Sequence, residues 1–213
     1  MNDVVLYGFP QSTYVRTARL VLEEKGVAYE LSDLEFASDA HRALHPFVKV
    51  PILHHGPVTL WETSAISHYV DEAFAGPQLR PADAVGRAQV EQWISAVLDY
   101  IYDGMARTVV YQRLAVPSRG GEPDEVLIRE TLPEVERQLD LVEGRLAAAE
   151  FMVGDDLSLA DLFLLPILFY LGLTPEGGRL LASRPGCSAW FERLAARPSF
   201  AATLPPAPAE AAE

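Results

Sequence analysis

A single cysteine, Cys187, stands among 213 residues. It leaves no partner for an intrachain disulfide, no CxxC pair for thiol–disulfide exchange and no cysteine set for a structural zinc site. Basic residues are also scarce. Seventeen Lys and Arg face 30 Asp and Glu, for a formal net charge of −13. A chain this acidic repels phosphate backbones and anionic lipid, so neither nucleic acid nor membrane is an expected partner. Long apolar runs are missing too. The richest, residues 162–173, contains Pro166 and falls short of the ~20 residues that span a bilayer. Residues 1–10 show no basic stretch leading into an apolar one, so no secretory signal is read and a cytoplasmic location is the expectation. Apolar side chains, in contrast, make up 49% of the chain, enough for one or two cored domains at roughly 100–200 residues each.

The first part alternates strand and helix. Residues 4–7 (VVLY) form a compact apolar run ending at Gly8-Phe9-Pro10, which reads as a buried strand. Ser12 or Thr13 can cap a helix reaching Lys25, with Val15, Ala18 and Leu22 on one face and Gly26 as its stop. Residues 27–31 read as a second strand. Strand, helix and strand with short connections make a right-handed parallel βαβ unit. A short helix over 40–44 ends before His45-Pro46, because a residue preceding proline avoids helical geometry. Residues 50–53 and 58–61 then form an antiparallel hairpin, and a helix covers 63–73. Residues 75–83 (AGPQLRPAD) are rich in turn formers and read as a linker. Beyond them everything looks helical: 84–116, 124–149 with Pro133 inside, a nearly all-apolar 159–171, and shorter pieces at 178–182 and 187–196. The tail after Phe200 has too few large apolar groups to fold alone.

Four short motifs carry chemistry. Val50-Pro51 puts a residue without an N–H at a strand start, which suits an edge or a turn. Glu62-Thr63 opens a helix, where unpaired N–H groups and the dipole suit a carboxylate ligand, and where Glu and Thr also serve as plain caps. Ser12 lies at the start of the first helix and offers a hydroxyl beside a positive dipole end. Ser158-Leu159-Ala160-Asp161 reads as a capping box with Asp in place of Glu, a structural feature that nucleates the buried helix. His41 and His45 stand at i and i+4, the spacing of two metal ligands on a helix. No third ligand accompanies them, so no metal is expected.

Tyr7-Gly8-Phe9-Pro10-Gln11-Ser12, Val50-Pro51, Glu62-Thr63 and Ser158–Asp161, in this order and spacing, resemble the cytosolic glutathione transferase family over nearly the whole chain. The likeness is to bacterial, serine-type members more than to tyrosine-type ones. It implies an α/β thioredoxin-like N-terminal domain (1–76), a linker (77–83), an all-α helical-bundle C-terminal domain (84–200) and a flexible tail (201–213). It further implies a cis Val50–Pro51 bond whose outward-turned Val50 main chain grips glutathione as an added strand would. Glu62 would take the γ-glutamyl amine and Thr63 its carboxylate. Lys49 would reach the glycine carboxylate. Ser12 is the implied partner of the glutathione thiol, with Tyr7 and Thr13 as alternatives, and His45 replaces a frequent Asn without a defined role. An electrophile pocket between the domains would involve Phe9, Met105, Arg107 and Tyr111. The expected protein is therefore a homodimeric detoxification enzyme. It uses glutathione as co-substrate, without metal, on a small and apolar electrophile. The alternative is a non-catalytic binding or regulatory protein of the same fold. A glutaredoxin-like oxidoreductase is disfavoured because its exchange chemistry needs a protein thiolate near the N-terminus.

Overall fold

The computed structural model describes residues 3–206. They fall into two compact units, one holding residues up to Gln78 together with those from Ala196 onward, the other spanning Leu79–Ala195.

In the first unit, β1 (Val4–Tyr7) leads into α1 (Thr13–Glu24), β2 (Glu30–Ser32) and α2 (Asp39–Leu44). The hairpin β3 (Ile52–His55) and β4 (Val58–Trp61) follows, then α3 (Thr63–Ala73). The four strands order as β2-β1-β3-β4, with β1/β2 parallel and the other pairs antiparallel. This is a thioredoxin-like sheet. Gly8 is required at the β1–α1 turn: its φ is +149°, and a Cβ there would lie 2.5 Å from Val15 Cγ2.

Eight consecutive residues of α1, Val15 to Leu22, are buried, so the helix is covered on more than its sheet-facing side. The second cover comes from α9 (Pro198–Ala202) and the residues after it. Arg19 donates to the carbonyls of Ala202 (2.7 Å) and Thr203 (3.1 Å). Arg197 makes a two-pronged bond to Glu24, which also accepts from Ser199 Oγ. The Arg16 guanidinium lies over the Phe200 ring, 4.8 Å from its centroid. Residues 196–206 thus belong to the first unit, whereas sequence pattern alone assigns 84–200 to the helical domain and 201 onward to a tail. The part of that tail from 207 lies outside the described residues.

The second unit is all helical. It begins at Leu79, within the stretch that reads as a linker; Leu79 is buried and its carbonyl accepts from the Leu159 N–H. Asp83 caps α4 (Ala84–Ala96), which continues as wider π-helical turns over Val97–Ile101 and Asp103–Ala115. Then come α5 (Glu125–Leu146), α6 (Leu159–Gly172), α7 (Pro175–Ala182) and α8 (Pro185–Ala195). Pro133 sits inside α5 without breaking it. Eleven of the fourteen residues of α6 are buried. Asp161 anchors the start of α6, accepting from Ser158 N–H and Oγ–H, Met152 N–H and Trp190 Nε1–H at 2.8–3.0 Å. The capping box is therefore the centre of a larger buried network. Among the described residues no single helix is long and apolar enough to cross a membrane. The pair α6 and α7 would need both pieces together and is bent by 116°.

Candidate functional site

Strand register brings three of the four motifs to one end of the first unit's sheet. Tyr7 pairs with Ser32 on one side and Ile52 on the other, and Ile52 pairs with Trp61. The next residue outward is Gly8 after β1, Pro51 before β3 and Glu62 after β4. The turn carrying Phe9–Ser12, the Val50–Pro51 step and the Glu62–Thr63 step must therefore emerge side by side. A Cβ on Gly8 would come within 3.3 Å of Val50 Cβ, which confirms how closely the first two approach. Both α1 and α3 start at this end, so two helix N-termini face the same region with their partial positive charge.

The Val50–Pro51 bond is cis. Pro51 is buried, Val50 half-buried and Lys49 exposed. Ser12 is the N-cap of α1, and its Oγ accepts the Val15 N–H at 3.3 Å. That bond uses the oxygen as acceptor and does not consume the hydroxyl hydrogen. Thr13 is the first residue of α1 and half-buried; Tyr7 is half-buried in β1. At the head of α3, Glu62 is exposed and has φ +71°, a backbone region that non-glycine residues occupy at a cost of about 1–3 kcal/mol. Ser12, Ser38, Asp83, Asp124 and Thr174 accept bonds from the first turns of their helices, while Glu62 makes no such cap bond. Thr63 is buried, and its carbonyl accepts from Ser67 Oγ at 2.7 Å.

Among the electrophile-pocket candidates, Phe9 is 46% exposed and belongs to the first unit. Tyr111 and Arg107 are exposed on the π-helical segment, with Arg107 over the Tyr102 ring. Met105 on the same segment has no exposed surface; it packs in the core of the second unit, since the wide helical turns direct residues 101, 105 and 109 inward. Cys187 is buried, and burial followed by the hydrogen bond to Glu143 pushes its thiol up to about 12, so it is no nucleophile.

Two residues with no assigned chemistry in the sequence reading prove central to the loop before Pro51. His41 and His45 are both buried. Ala37 N–H donates to His41 Nδ1 (3.2 Å) and His41 Nε2 meets the Lys49 carbonyl (2.9 Å). Phe47 N–H donates to His45 Nδ1 (3.1 Å), and the His45 ring lies against Trp61, with centroids 5.3 Å apart. Burial lowers the His45 pKa; His41 and Lys49 push the same way and Glu62 opposes them. Among the described residues no group of three or more His, Cys, Asp or Glu is placed to hold a metal ion. The available signal for these histidines was compositional: residues 37–44 contain one large apolar side chain, Leu44, so something else had to fill the loop's interior.

The family model for the glutathione S-transferase N-terminal domain matches residues 6–78, and that for the C-terminal domain matches residues 100–198. Glutathione S-transferase 3 of Zea mays is 34% identical over the whole of both chains. The resemblance read from the motifs leaned towards bacterial members, yet this curated relative is a plant protein. A solved structure of glutathione S-transferase III in apo form is 34% identical and superposes with a TM-score of 0.87, covering 96% of this chain and 99% of the other. A further one, glutathione S-transferase I from mais in complex with atrazine glutathione conjugate, is 30% identical with a TM-score of 0.86, covering 94% and 95%. With both domains matched in order and identity sustained over the full length, the chain belongs to the glutathione S-transferase family.

Proposed function

We propose that the protein is an enzyme that binds glutathione at the end of the sheet where Gly8, Pro51 and Glu62 emerge, ionises its thiol, and transfers the sulfur to a small, apolar electrophile. The observation that carries this reading is the Ser32–Tyr7–Ile52–Trp61 row, which brings the Val50–Pro51 step beside two helix N-termini. Glutathione has the matching parts. Its cysteinyl backbone pairs with the Val50 N–H and C=O as an added strand. Its γ-glutamyl carboxylate takes the Thr63 hydroxyl and the uncapped first turn of α3, and the adjacent amine takes Glu62. Lys49 serves the glycine carboxylate. The thiol then lies near α1, where Ser12 donates to the thiolate and the helix dipole adds to the effect; Tyr7 at the end of β1 and Thr13 at the start of α1 are the alternative hydroxyls. Phe9 supplies an apolar contact for the electrophile, and Arg107 and Tyr111 are the accessible candidates in the second unit. Met105 has no surface to offer a ligand. The relative described with an atrazine glutathione conjugate supports conjugation as the reaction type.

Retention on immobilised glutathione, elution with free glutathione and assay of the eluate against an electrophile panel test the reading. Turnover of at least one electrophile is expected. Failure of retention overturns the glutathione reading, and retention without any turnover leaves the binding or regulatory alternative.

A further inference from the structure

Residues 31–50 connect β2 to the cis proline, and only two of these twenty side chains are buried: His41 and His45. The segment has no apolar interior of its own. It contains the short α2 and two non-glycine residues in the left-handed region, Ala37 at φ +62° and Val48 at φ +54°. Such positions persist only where surrounding bonds over-determine them. His41 supplies those bonds at both ends, tying Ala37 to Lys49 across α2.

The two contacts fix the state of the ring. A backbone N–H can only donate, so Nδ1, facing Ala37 N–H, presents its lone pair. The neutral ring must then carry its proton on Nε2, which donates to the Lys49 carbonyl at 2.9 Å. That carbonyl shares one rigid peptide plane with the Val50 N–H, and in a trans peptide the two point in opposite directions. Holding the oxygen from one side therefore aims the Val50 N–H to the other.

We propose that His41 is a positioning residue, whose Nε2–H fixes the Lys49–Val50 peptide plane and thereby orients the Val50 N–H for an extended peptide ligand. The proposal rests on the reading of Val50 as the glutathione backbone contact. His41 itself touches no ligand. Its effect is on affinity, not on the sulfur chemistry, because the thiol partner sits on α1.

Two near-isosteric variants separate the ring's two bonds. His41→Gln can place an amide N–H near the Nε2 position; His41→Asn can place an acceptor near Nδ1 but offers no donor to Lys49. Glutathione affinity is measured by calorimetry and by KM, with kcat taken at saturating glutathione. His41→Asn is expected to weaken binding about three- to tenfold, the range of one lost hydrogen bond, with kcat little changed. His41→Gln is expected to restore most of that loss. Imidazole nitrogen shifts of the unsubstituted protein, from long-range proton–nitrogen NMR, are expected to show the Nε2–H form of His41. They decide the matter should both variants fail to fold. An Nδ1–H ring, wild-type affinity in His41→Asn, or equal losses in both variants would each overturn the proposal. Thr63→Ala keeps this failure distinct from failure of the functional reading. Affinity lost in Thr63→Ala but intact in His41→Asn removes only the role of His41, whereas an unsubstituted protein that does not bind glutathione removes both.

Discussion

Replacing Ser12 by alanine separates two jobs that one hydroxyl is placed to perform. As N-cap of α1 it accepts the Val15 N–H at 3.3 Å, longer than a well-formed N–H···O bond. Its loss as a cap therefore belongs at the low end of the usual range, about 0.5–1 kcal/mol. For a chain of this size that is a fall of roughly 1–4 °C in Tm. The chemical role is larger. A hydrogen bond to a charged group contributes about 1.5–3 kcal/mol, and a hydroxyl donates to the thiolate far better than to the thiol, so the bound thiol pKa drops by about one to two units. From a free value of about 8.5, the bound thiol falls to about 6.5–7.5 in the unsubstituted protein and returns towards 8.5 in the variant. At pH 7 the thiolate fraction then declines from roughly a quarter to three quarters down to about 3%, and turnover declines by about 8- to 25-fold with it. The α1 dipole is common to both proteins and cancels. The deficit shrinks as pH rises past the variant's thiol pKa, where ionisation needs no help. Titrating the ultraviolet thiolate absorbance of bound glutathione in Ser12→Ala, with Tyr7→Phe and Thr13→Ala beside it, measures the shift directly. An unmoved titration in Ser12→Ala refutes the assignment even where activity falls, and a shift in Tyr7→Phe or Thr13→Ala moves the role to that residue.

Thr63→Ala is expected to raise the glutathione Kd by roughly 10- to 150-fold with little effect on the chemical step, since the γ-glutamyl carboxylate lies far from sulfur; calorimetry showing unchanged affinity counts against the subsite. Lys25→Ala is expected to cost about 3 kcal/mol in urea unfolding, because Lys25 Nζ is buried against Asp71 Oδ1 and the carbonyls of Asp71 and Pro77 and its loss removes the ammonium from all three; a change under half that size would show that water replaces the ammonium. Stability is expected to fall as pH drops below 6.5. The folded His45 pKa is depressed, mainly by burial, so the unfolded chain binds the proton first and His45's contribution, full above 6.5, is lost as pH falls through the folded value. The non-titrating His45→Asn should flatten that slope, and an identical acid dependence in its urea midpoints would exclude His45 as the source. The protein is expected to be a homodimer in light scattering at micromolar concentration. Phe36, Phe47 and Trp61 are exposed in one aromatic cluster around the two histidines, a surface a second copy would cover; a monomer mass refutes this.

Local patterns are legible where one interaction decides the outcome. The strands at 4–7 and 58–61 and the helix starts at Ser12, Thr63 and Ser158 stand where apolar runs and cap residues predict them. Boundaries move where the backbone has a second use for a residue. Val27 reads as strand, but its N–H closes α1 by bonding the Leu22 carbonyl across Gly26 at φ +67°, so β2 starts only at Glu30. Residues 50–51 read as strand, but the ladder with β1 ends at the Tyr7–Ile52 pair and β3 starts at Ile52. The π-helical turns are hidden for a different reason. Their buried residues 97, 101, 105 and 109 repeat every four positions, which lies between the α repeat of about 3.6 and the wider π turn and so marks neither. Residues 196–206 are held on α1 by Arg19 and by Arg197, through bonds that span more than 170 positions of sequence, and no local window contains such a pairing.

The site shows the same division of labour. Val50, Pro51, Glu62 and Thr63 could be singled out because each is unusual for its element: a proline at a strand start, and an acidic residue beside a hydroxyl at a helix start. His41 could not, since a histidine at helical spacing from another histidine points first to metal or to a solvated face. Its neighbours decide otherwise. A loop whose large apolar side chains are all left unburied cannot use them to exclude water, and its buried backbone groups still need partners. An imidazole meets both needs at once, filling volume with a flat ring while donating from one nitrogen and accepting at the other. The loop that delivers Val50 includes the His45 Nδ1 contact with the Phe47 N–H, which a proton on that nitrogen breaks, whereas the sheet behind it is organised by Val4, Leu6, Ile52 and Leu53, which no proton affects. Acid should accordingly loosen residues 36–50 before it unfolds the sheet. Amide exchange of this segment, compared with that of β1 and β3 across falling pH, reads that order, and simultaneous loss of protection in both would mean that His45 does not govern the loop.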